Sequence, residues 1–139
     1  MTPLPPQIDW SKEFEIGVED IDIQHHFFIN LVKRLADELQ IPGVTPYRAA
    51  LISELNAYAR FHFISEENMM ARTGYPELES HRMHHHQLIE QLSARENSLL
   101  LHNSREQANA IIEFLFDWFR HHTIQEDRLF ADYLVDRKK

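Results

Sequence analysis

The sequence predicts an all-α protein, built as an antiparallel up-down-up-down four-helix bundle with an extended N-terminal arm. Glycine is scarce, with only three in 139 residues, and most prolines fall where helices should begin or end. Apolar residues recur at helical spacing, and no segment shows the alternation of a half-buried strand. Four helices joined by short connections favour antiparallel neighbours, which is the arrangement of a simple bundle.

The chain divides into an arm over residues 1–18, a bundle over residues 19–136 and a basic tail over residues 137–139. The arm is rich in proline and carries Gly17, which favours extended backbone over helix. Its apolar side chains should anchor it on the bundle, and they are Trp10, Phe14 and Ile16.

The first two helices are expected over residues 20–40 and from Pro46 to about Arg72. Ile41-Pro42-Gly43 should stop the first helix. Thr45 is the predicted N-cap of the second helix, with Pro46 at its first position, and Gly74 suits the position just past its end. The apolar stripe of the first helix is Ile21, His25, Phe28, Ile29, Val32 and Leu35.

The third helix is predicted to open at Pro76 and to run to about Leu101. Ser104 and Gln107 have the spacing of a capping box and should open the fourth helix. That helix is expected to continue towards Tyr133. Its inward side is predicted to carry Ile111, Ile112, Leu115, Trp118, Phe119 and His122.

Composition excludes several classes of protein. The absence of cysteine rules out disulfides, thiolate metal sites and cysteine nucleophiles. A net charge of −8 argues against general affinity for nucleic acid or anionic lipid. No stretch approaches the roughly 20 apolar residues of a membrane span, and the first residues lack the features of a signal peptide. We therefore expect a cytoplasmic protein with no nucleic-acid partner and no membrane span. No long unexplained apolar stripe demands a partner, so we also expect a monomer.

Ten histidines are the outlier in this composition, and helical phase separates them. His25 shares a face with Phe28 and Ile29, whereas the neighbouring His26 shares a face with Lys33. The same reasoning prefers His85 and His122 to the histidines beside them. The inward set is His25, His62, His81, His85 and His122.

A single inward histidine is most simply a hydrogen-bonded core residue. Five of them, with a buried glutamate, would lack enough partners for both nitrogens of every ring. Metal ions solve that problem by binding one nitrogen of each ring. Glu66 lies one turn from His62 on the inward side, whereas Glu67 shares a face with Arg60 and is expected in solvent.

Asp127 follows His122 by five residues, which on a regular α-helix is a rotation of about 140°. Phase alone therefore leaves it outside the site. It joins only if the helix is distorted locally, for example by a π-type irregularity over residues 123–127, or if a metal pair is approached from the flank.

Five nitrogens and two carboxylates are too many ligands for a tetrahedral zinc site, and they suit two ions with bridging carboxylates. Nitrogen-rich ligation without thiolate fits iron, manganese or zinc, so the ligands leave the metal open. The Glu-x-x-His motif of ferritin-like di-iron proteins does not occur here. A site rich in histidine and poor in carboxylate favours reversible ligand binding over oxidase chemistry.

Five motifs together resemble the hemerythrin family, in its single-domain bacterial form, bacteriohemerythrin. The resemblance covers about residues 10–133. The motifs are Gln24-His25, His62-Phe63-Ile64-Ser65-Glu66-Glu67, Tyr75-Pro76, His81-x-x-x-His85 and Trp118-x-x-x-His122-x-x-x-x-Asp127.

The resemblance implies a pair of iron ions. His81, His85 and His122 would bind one iron, and His25 and His62 would bind the other and leave it one open position. The two ions would be bridged by Glu66, Asp127 and an oxo or hydroxo group. The resemblance thus assigns Asp127, which phase left open.

The implied function is reversible dioxygen binding by a carrier, store or delivery protein that is not an enzyme. An oxidase or oxygenase that consumes dioxygen would be the recipient. The alternatives are a di-iron redox enzyme (a peroxidase, an oxidase or a nitric-oxide-handling protein), a sensor of dioxygen or iron, and an iron store. Visible absorption during dioxygen titration and vacuum release would separate them.

An apolar pocket should surround the open position, although simple core packing explains the same side chains. Two of its residues depart from the family pattern: Phe28 replaces a common leucine and Thr123 replaces a common isoleucine. If the Thr123 hydroxyl faces the pocket, we expect it to change hydrogen bonding to bound dioxygen and the rate of autoxidation. The expected lining is Phe28, Phe63, Leu88, Trp118, Phe119 and Thr123.

Overall fold

The computed structural model describes residues 8–43, 46–102 and 104–137. It contains a short 3-10 helix (Lys12–Phe14) and four long helical segments, and no strand occurs within these ranges. The segments are α1 (Glu19–Glu38), α2 (Pro46–Thr73), α3 (Leu78–His102) and a last one made of α4 (Arg105–His121), a π-helical turn (His122–Asp127) and α5 (Arg128–Arg137).

The long helices form a four-membered ring of packed neighbours. Helix α2 packs against α1 and α3, and α4 packs against the same two helices from the other side. The predicted all-α four-helix bundle is therefore confirmed. None of the described helices combines the length and the apolar character needed to cross a membrane.

The end of α2 is a Schellman motif built on Gly74. The backbone N–H of Tyr75 donates to the carbonyl of Met70 at 2.9 Å, and the N–H of Gly74 donates to the carbonyl of Ala71 at 3.2 Å. Gly74 has a φ of 70°, a left-handed conformation that glycine adopts at little cost. The predicted stop after Arg72 is confirmed to within one residue.

Two other helix starts differ in detail from expectation. Helix α3 begins at Leu78 rather than at Pro76, because the residues before it form a turn. At α4, the Ser104 hydroxyl accepts a hydrogen bond from the N–H of Gln107 at 3.0 Å, but the Gln107 side chain donates to Ser98. The capping box is thus one-sided. The N-cap predicted at Thr45 lies outside the described residues.

The arm packs on the bundle through Phe14, which is 1% exposed in the main core. Its ring meets the ring of Phe119 edge-on at 5.1 Å. Trp10 stacks on His26 at 3.5 Å, and Arg128 of α5 donates to the carbonyl of Glu13 at 2.6 Å. The first seven residues of the predicted arm, and the last two of the predicted tail, lie outside the described residues.

Two apolar clusters fill the bundle, one towards each end, and each of the four long helical segments contributes to both. On α1, for example, Ile21 lies in the smaller cluster and Phe28 in the larger one, with His25 between them. On α2, Met70 and Phe63 enclose Glu66 in the same way. The predicted metal ligands therefore lie in the layer that separates the two clusters.

Candidate metal centre

All seven predicted ligands meet in this layer, and none is more than 6% exposed. Helix α1 supplies one of them, α2 and α3 supply two each, and the π-helical turn supplies two. In chain order the seven are His25, His62, Glu66, His81, His85, His122 and Asp127.

The donor atoms form two groups that share both carboxylates. The first group is His25 and His62 with Glu66 and Asp127. The second group is His81 and His122 with the same two carboxylates. His85 adjoins the second group, because its Nε2 lies 3.2 Å from Nε2 of His122 and 3.3 Å from Oε1 of Glu66.

Asp127 directs one oxygen to each group. Its Oδ2 lies 3.3 Å from Nε2 of His25, in the first group. Its Oδ1 lies 3.3 Å from Nε2 of His81 and 3.1 Å from Nε2 of His122, in the second group. The π-helical turn between His122 and Asp127 brings this about, and it is the local distortion that was one of the two possibilities for the five-residue spacing.

Glu66 spans the two groups in the same manner. Its Oε2 lies 3.4 Å from Nε2 of His62, which is one turn earlier on α2. Its Oε1 lies 3.3 Å from Nε2 of His85 and faces His122 at 3.8 Å. Each carboxylate thus presents one oxygen to the two-histidine group and the other to the three-histidine group.

The ring of His62 is oriented by Gln24. The Nδ1–H of His62 donates to Oε1 of Gln24 at 2.7 Å, which leaves the Nε2 lone pair facing the cluster. Gln24 is itself held in place, since its side-chain amide donates to the Ser65 hydroxyl at 3.0 Å and its backbone carbonyl accepts from the Tyr58 hydroxyl at 2.7 Å. Such an acceptor fixes the tautomer of a metal-binding imidazole.

The ring of His85 is oriented by Glu67. The Nδ1–H of His85 donates to Oε2 of Glu67 at 2.8 Å, and Oε1 of Glu67 pairs with Nε of Arg82 at 3.4 Å. The expectation that Glu67 faces solvent is wrong: its side chain is 20% exposed and reaches across to α3. Phase along α2 carried no signal for this contact, because the partner lies on another helix.

The charges in the cluster stabilise one another. Burial and the charge of Asp127 raise the pKa of Glu66, but the facing rings of His122, His62 and His85 lower it by more, so it lies below its usual value. The pKa of Asp127 is also lowered, because the effect of burial, which raises it, is outweighed by His122 and the other facing imidazoles. Burial lowers the pKa of His122, yet Asp127 and then Glu66 raise it to about 10.

The donor set fits metal ions. Within the described chain, both oxygens of Glu66 and Oδ2 of Asp127 are buried without a hydrogen-bond partner. The Nε2 atoms of His25 and His62 lie only 3.1 Å apart. Carboxylate oxygens and imidazole nitrogens crowded around one centre are stabilised by cations, and oxygen and imidazole ligands without thiolate suit iron, manganese or zinc.

A small cavity adjoins the two-histidine group. It borders His25 and His62, and reaches only His122 among the other three histidines. The volume open to the centre of a water molecule is about 10 Å³, close to the least that holds one water. The remaining lining residues are Phe28, Ala59, Phe63, Trp118, Phe119, Thr123 and Asp127.

This lining agrees with the expected pocket residues except at two positions. Leu88 is buried in the main core and does not border the cavity. Ala59 borders it, one turn before His62 and Phe63, although the sequence did not single it out. A small side chain there leaves the space that the aromatic rings surround. The part that these residues play in ligand binding stays a prediction.

Comparison with known proteins identifies the family. Residues 16–134 match the sequence profile described as the Hemerythrin HHE cation binding domain. The chain belongs to the hemerythrin family. This hemerythrin domain is 25% identical over 127 residues to the bacteriohemerythrin of Clostridium acetobutylicum, covering 88% of this chain and 98% of that one. The bacteriohemerythrin of Stenotrophomonas maltophilia is 27% identical over 126 residues, covering 88% and 78%.

Solved hemerythrins share the fold. A crystal structure of wild-type hemerythrin superimposes with a TM-score of 0.80 at 23% identity, covering 91% of this chain and 97% of that one. Hemerythrins are known for binding dioxygen at a di-iron site. The buried histidines and carboxylates of this chain are groups that could hold such ions.

Proposed function

We propose that this hemerythrin binds dioxygen reversibly at a di-iron centre and acts as an oxygen carrier, store or delivery protein rather than as an enzyme. One observation carries the proposal. Glu66 and Asp127 each direct one oxygen to a two-histidine group and the other to a three-histidine group, and the cavity adjoins the group with fewer ligands.

In this proposal His81, His85 and His122 hold one iron, and His25 and His62 hold the other. Glu66, Asp127 and an oxo or hydroxo group bridge them. The bound iron pair would supply the electrons that dioxygen binding needs. The two-histidine ion has one protein ligand fewer, and the adjoining cavity supports an open coordination position on that side.

The surrounding residues keep water and protons from the ligand. Phe28, Phe63 and Phe119 are each at most 5% exposed, and together with Trp118 they form an apolar wall beside His25 and His62. An apolar wall disfavours entry of hydrated ions and acids, which would drive irreversible oxidation. Gln24 and Glu67 hold two of the rings in the tautomer that binds metal.

The composition of the cavity favours binding over catalysis. Its titratable residues, within the described chain, are His25, His62, His122 and Asp127, all of which are proposed ligands. No other acid or base borders the cavity within the described residues, so none stands ready to transfer a proton to a substrate. An oxidase or peroxidase would need such a group or an external proton donor.

The decisive experiment is anaerobic reduction followed by dioxygen titration, watched by visible absorption, with iron counted per chain. A carrier shows two irons, gains colour with dioxygen and loses it under vacuum. A redox enzyme would instead consume reductant far faster than it autoxidises. A storage protein would yield iron to weak chelators without any response to dioxygen, and fewer than two irons with no such response would overturn the proposal.

The proposed recipient of the dioxygen is an oxidase or oxygenase, and the proposed location is the cytoplasm. The lack of cysteine is compatible with a reducing compartment. Cell fractionation tests the location. Loss of dioxygen from the loaded protein to an oxidase, faster than spontaneous release, tests the recipient.

A further inference from the structure

Thr123 has a buried hydroxyl without a partner. The residue lies second in the π-helical turn, is 0% exposed and borders the cavity beside His25 and His62. Its Oγ1 makes no hydrogen bond to any described part of the chain. Buried polar groups are nearly always paired, so an unpaired one calls for an explanation.

Thr73 shows what a helical threonine normally does. Its hydroxyl donates to the carbonyls of Met69 at 2.9 Å and Met70 at 3.2 Å, which are four and three residues earlier. For Thr123 the matching carbonyl four residues earlier belongs to Phe119, and it accepts the backbone N–H of His122. The Thr123 hydroxyl, unlike that of Thr73, donates to no backbone carbonyl of the described chain.

Thr123 carries the one hydroxyl among the described residues that line the cavity. Most are aromatic or aliphatic, and the histidines and Asp127 are proposed metal ligands. Trp118 carries an indole N–H donor as well, and its ring stacks on the ring of His122 at 4.3 Å. A hydroxyl at this wall is therefore well placed to serve a molecule inside the cavity.

We propose that the Thr123 hydroxyl donates a hydrogen bond to a small ligand bound in this cavity. It would thereby favour small ligands whose outer atom accepts a hydrogen bond, such as small anions. The cavity volume of about 10 Å³ is close to that of a single water site, so a larger ligand must displace the surrounding aromatic rings. The inference rests on the proposed di-iron site and adds a specificity-determining residue to it.

Azide is a suitable probe, because it is a triatomic anion that binds ferric iron and accepts hydrogen bonds. Its dissociation constant for the oxidised, iron-loaded protein is measured by visible absorption for the parent, Thr123→Val and Thr123→Ser. Valine keeps the shape of threonine without the hydroxyl, and serine keeps the hydroxyl. We expect valine to weaken azide binding about tenfold or more, as for loss of a hydrogen bond to a charged acceptor, and serine to bind nearly as the parent does.

A second readout needs no metal. Urea unfolding of the metal-free proteins should show Thr123→Val to be at least as stable as the parent, because it removes an unpaired buried hydroxyl. Three results would each overturn the inference. They are equal azide affinities of the parent and Thr123→Val, no azide binding by the iron-loaded parent, and a clear loss of stability in the metal-free Thr123→Val protein. A parent that takes up fewer than two irons would overturn the proposed function itself, and the inference with it.

Discussion

The Nε2 of His122 lies 3.1 Å from Oδ1 of Asp127, although five residues separate them on one helical segment. On a regular α-helix these side chains would diverge by about 140°. The π-helical turn that both residues delimit returns Asp127 to the centre of the bundle. The same turn contains Thr123, whose buried hydroxyl has no hydrogen-bond partner within the described chain, so one backbone irregularity supplies residues to both the cluster and the cavity wall.

Replacing Asp127 with asparagine should impair iron binding while leaving the fold intact. The amide keeps the shape of the side chain but removes the negative charge that faces His25 on one side and His122 on the other. We expect affinity for the second iron to fall at least about tenfold, the lower bound for losing even an indirect metal contact. Iron per chain after dialysis measures this.

Asp132→Asn is the matched control, because Asp132 is an exposed acid on α5. It should retain two irons. If Asp127→Asn also retained two tightly bound irons, Asp127 would not be a bridging ligand.

Removing the carboxylate that orients His85 should weaken metal binding without touching a proposed ligand. In Glu67→Ala the Nδ1 of His85 loses its acceptor, and we expect iron affinity to fall roughly ten- to hundredfold. Competition with a chelator of known affinity measures it. Glu79→Ala is the control, since Glu79 pairs with the same Arg82 but contacts no histidine of the cluster; equal losses in both variants would assign the effect to Arg82.

Stability of the metal-free protein should depend on pH through the cluster. The pKa of His122 is raised from 6.5 to about 10. The contribution of His122 to the free energy of unfolding is therefore fully present below about pH 6.5 and is lost as the pH rises towards 10. Glu66 and Asp127 have pKa values below their ordinary 4.5 and 3.8. Their contribution is present above those values and is lost at lower pH.

Urea unfolding of the metal-free protein at several pH values tests this. We expect the largest free energy of unfolding in weak acid, with a decline through neutral to alkaline pH. His122→Gln should flatten the alkaline decline. Stability that rose from neutral to alkaline pH would contradict the assignment.

Phe14 should make the N-terminal arm a structural part of the bundle. Its ring is 1% exposed and contacts the rings of Phe116 and Phe119. We expect Phe14→Ala to lower the free energy of unfolding by about 3–5 kcal/mol, as for other buried phenylalanines. Lys12→Ala, an exposed change in the same short helix, should have little effect. Similar losses in the two variants would show that the arm acts through its backbone only.

Helical phase was enough to predict most of the cluster. It preferred His25 to His26, and the structure buries the first and leaves the second exposed against Trp10. It also predicted that Glu66 points inward, and Glu66 is buried. These choices were reliable because α1 and α2 are regular helices, in which side-chain direction follows from residue number.

Helical phase within one helix could not predict contacts between helices or changes of helical pitch. Glu67 reaches His85 on α3, and no pattern within α2 encodes that contact. Asp127 needed a π turn, for which periodicity offered only the possibility. The same limit applies to Ala59, whose place at the cavity depends on the aromatic rings of other helices.

The central claim is that the buried cluster holds two bridged irons. X-ray diffraction from crystals of the iron-loaded protein, collected at the iron absorption edge, tests it most directly. We predict two anomalous peaks, one bound by His25 and His62 and the other by His81, His85 and His122, with Glu66 and Asp127 reaching both. A single peak, or two peaks that share no carboxylate, would contradict it.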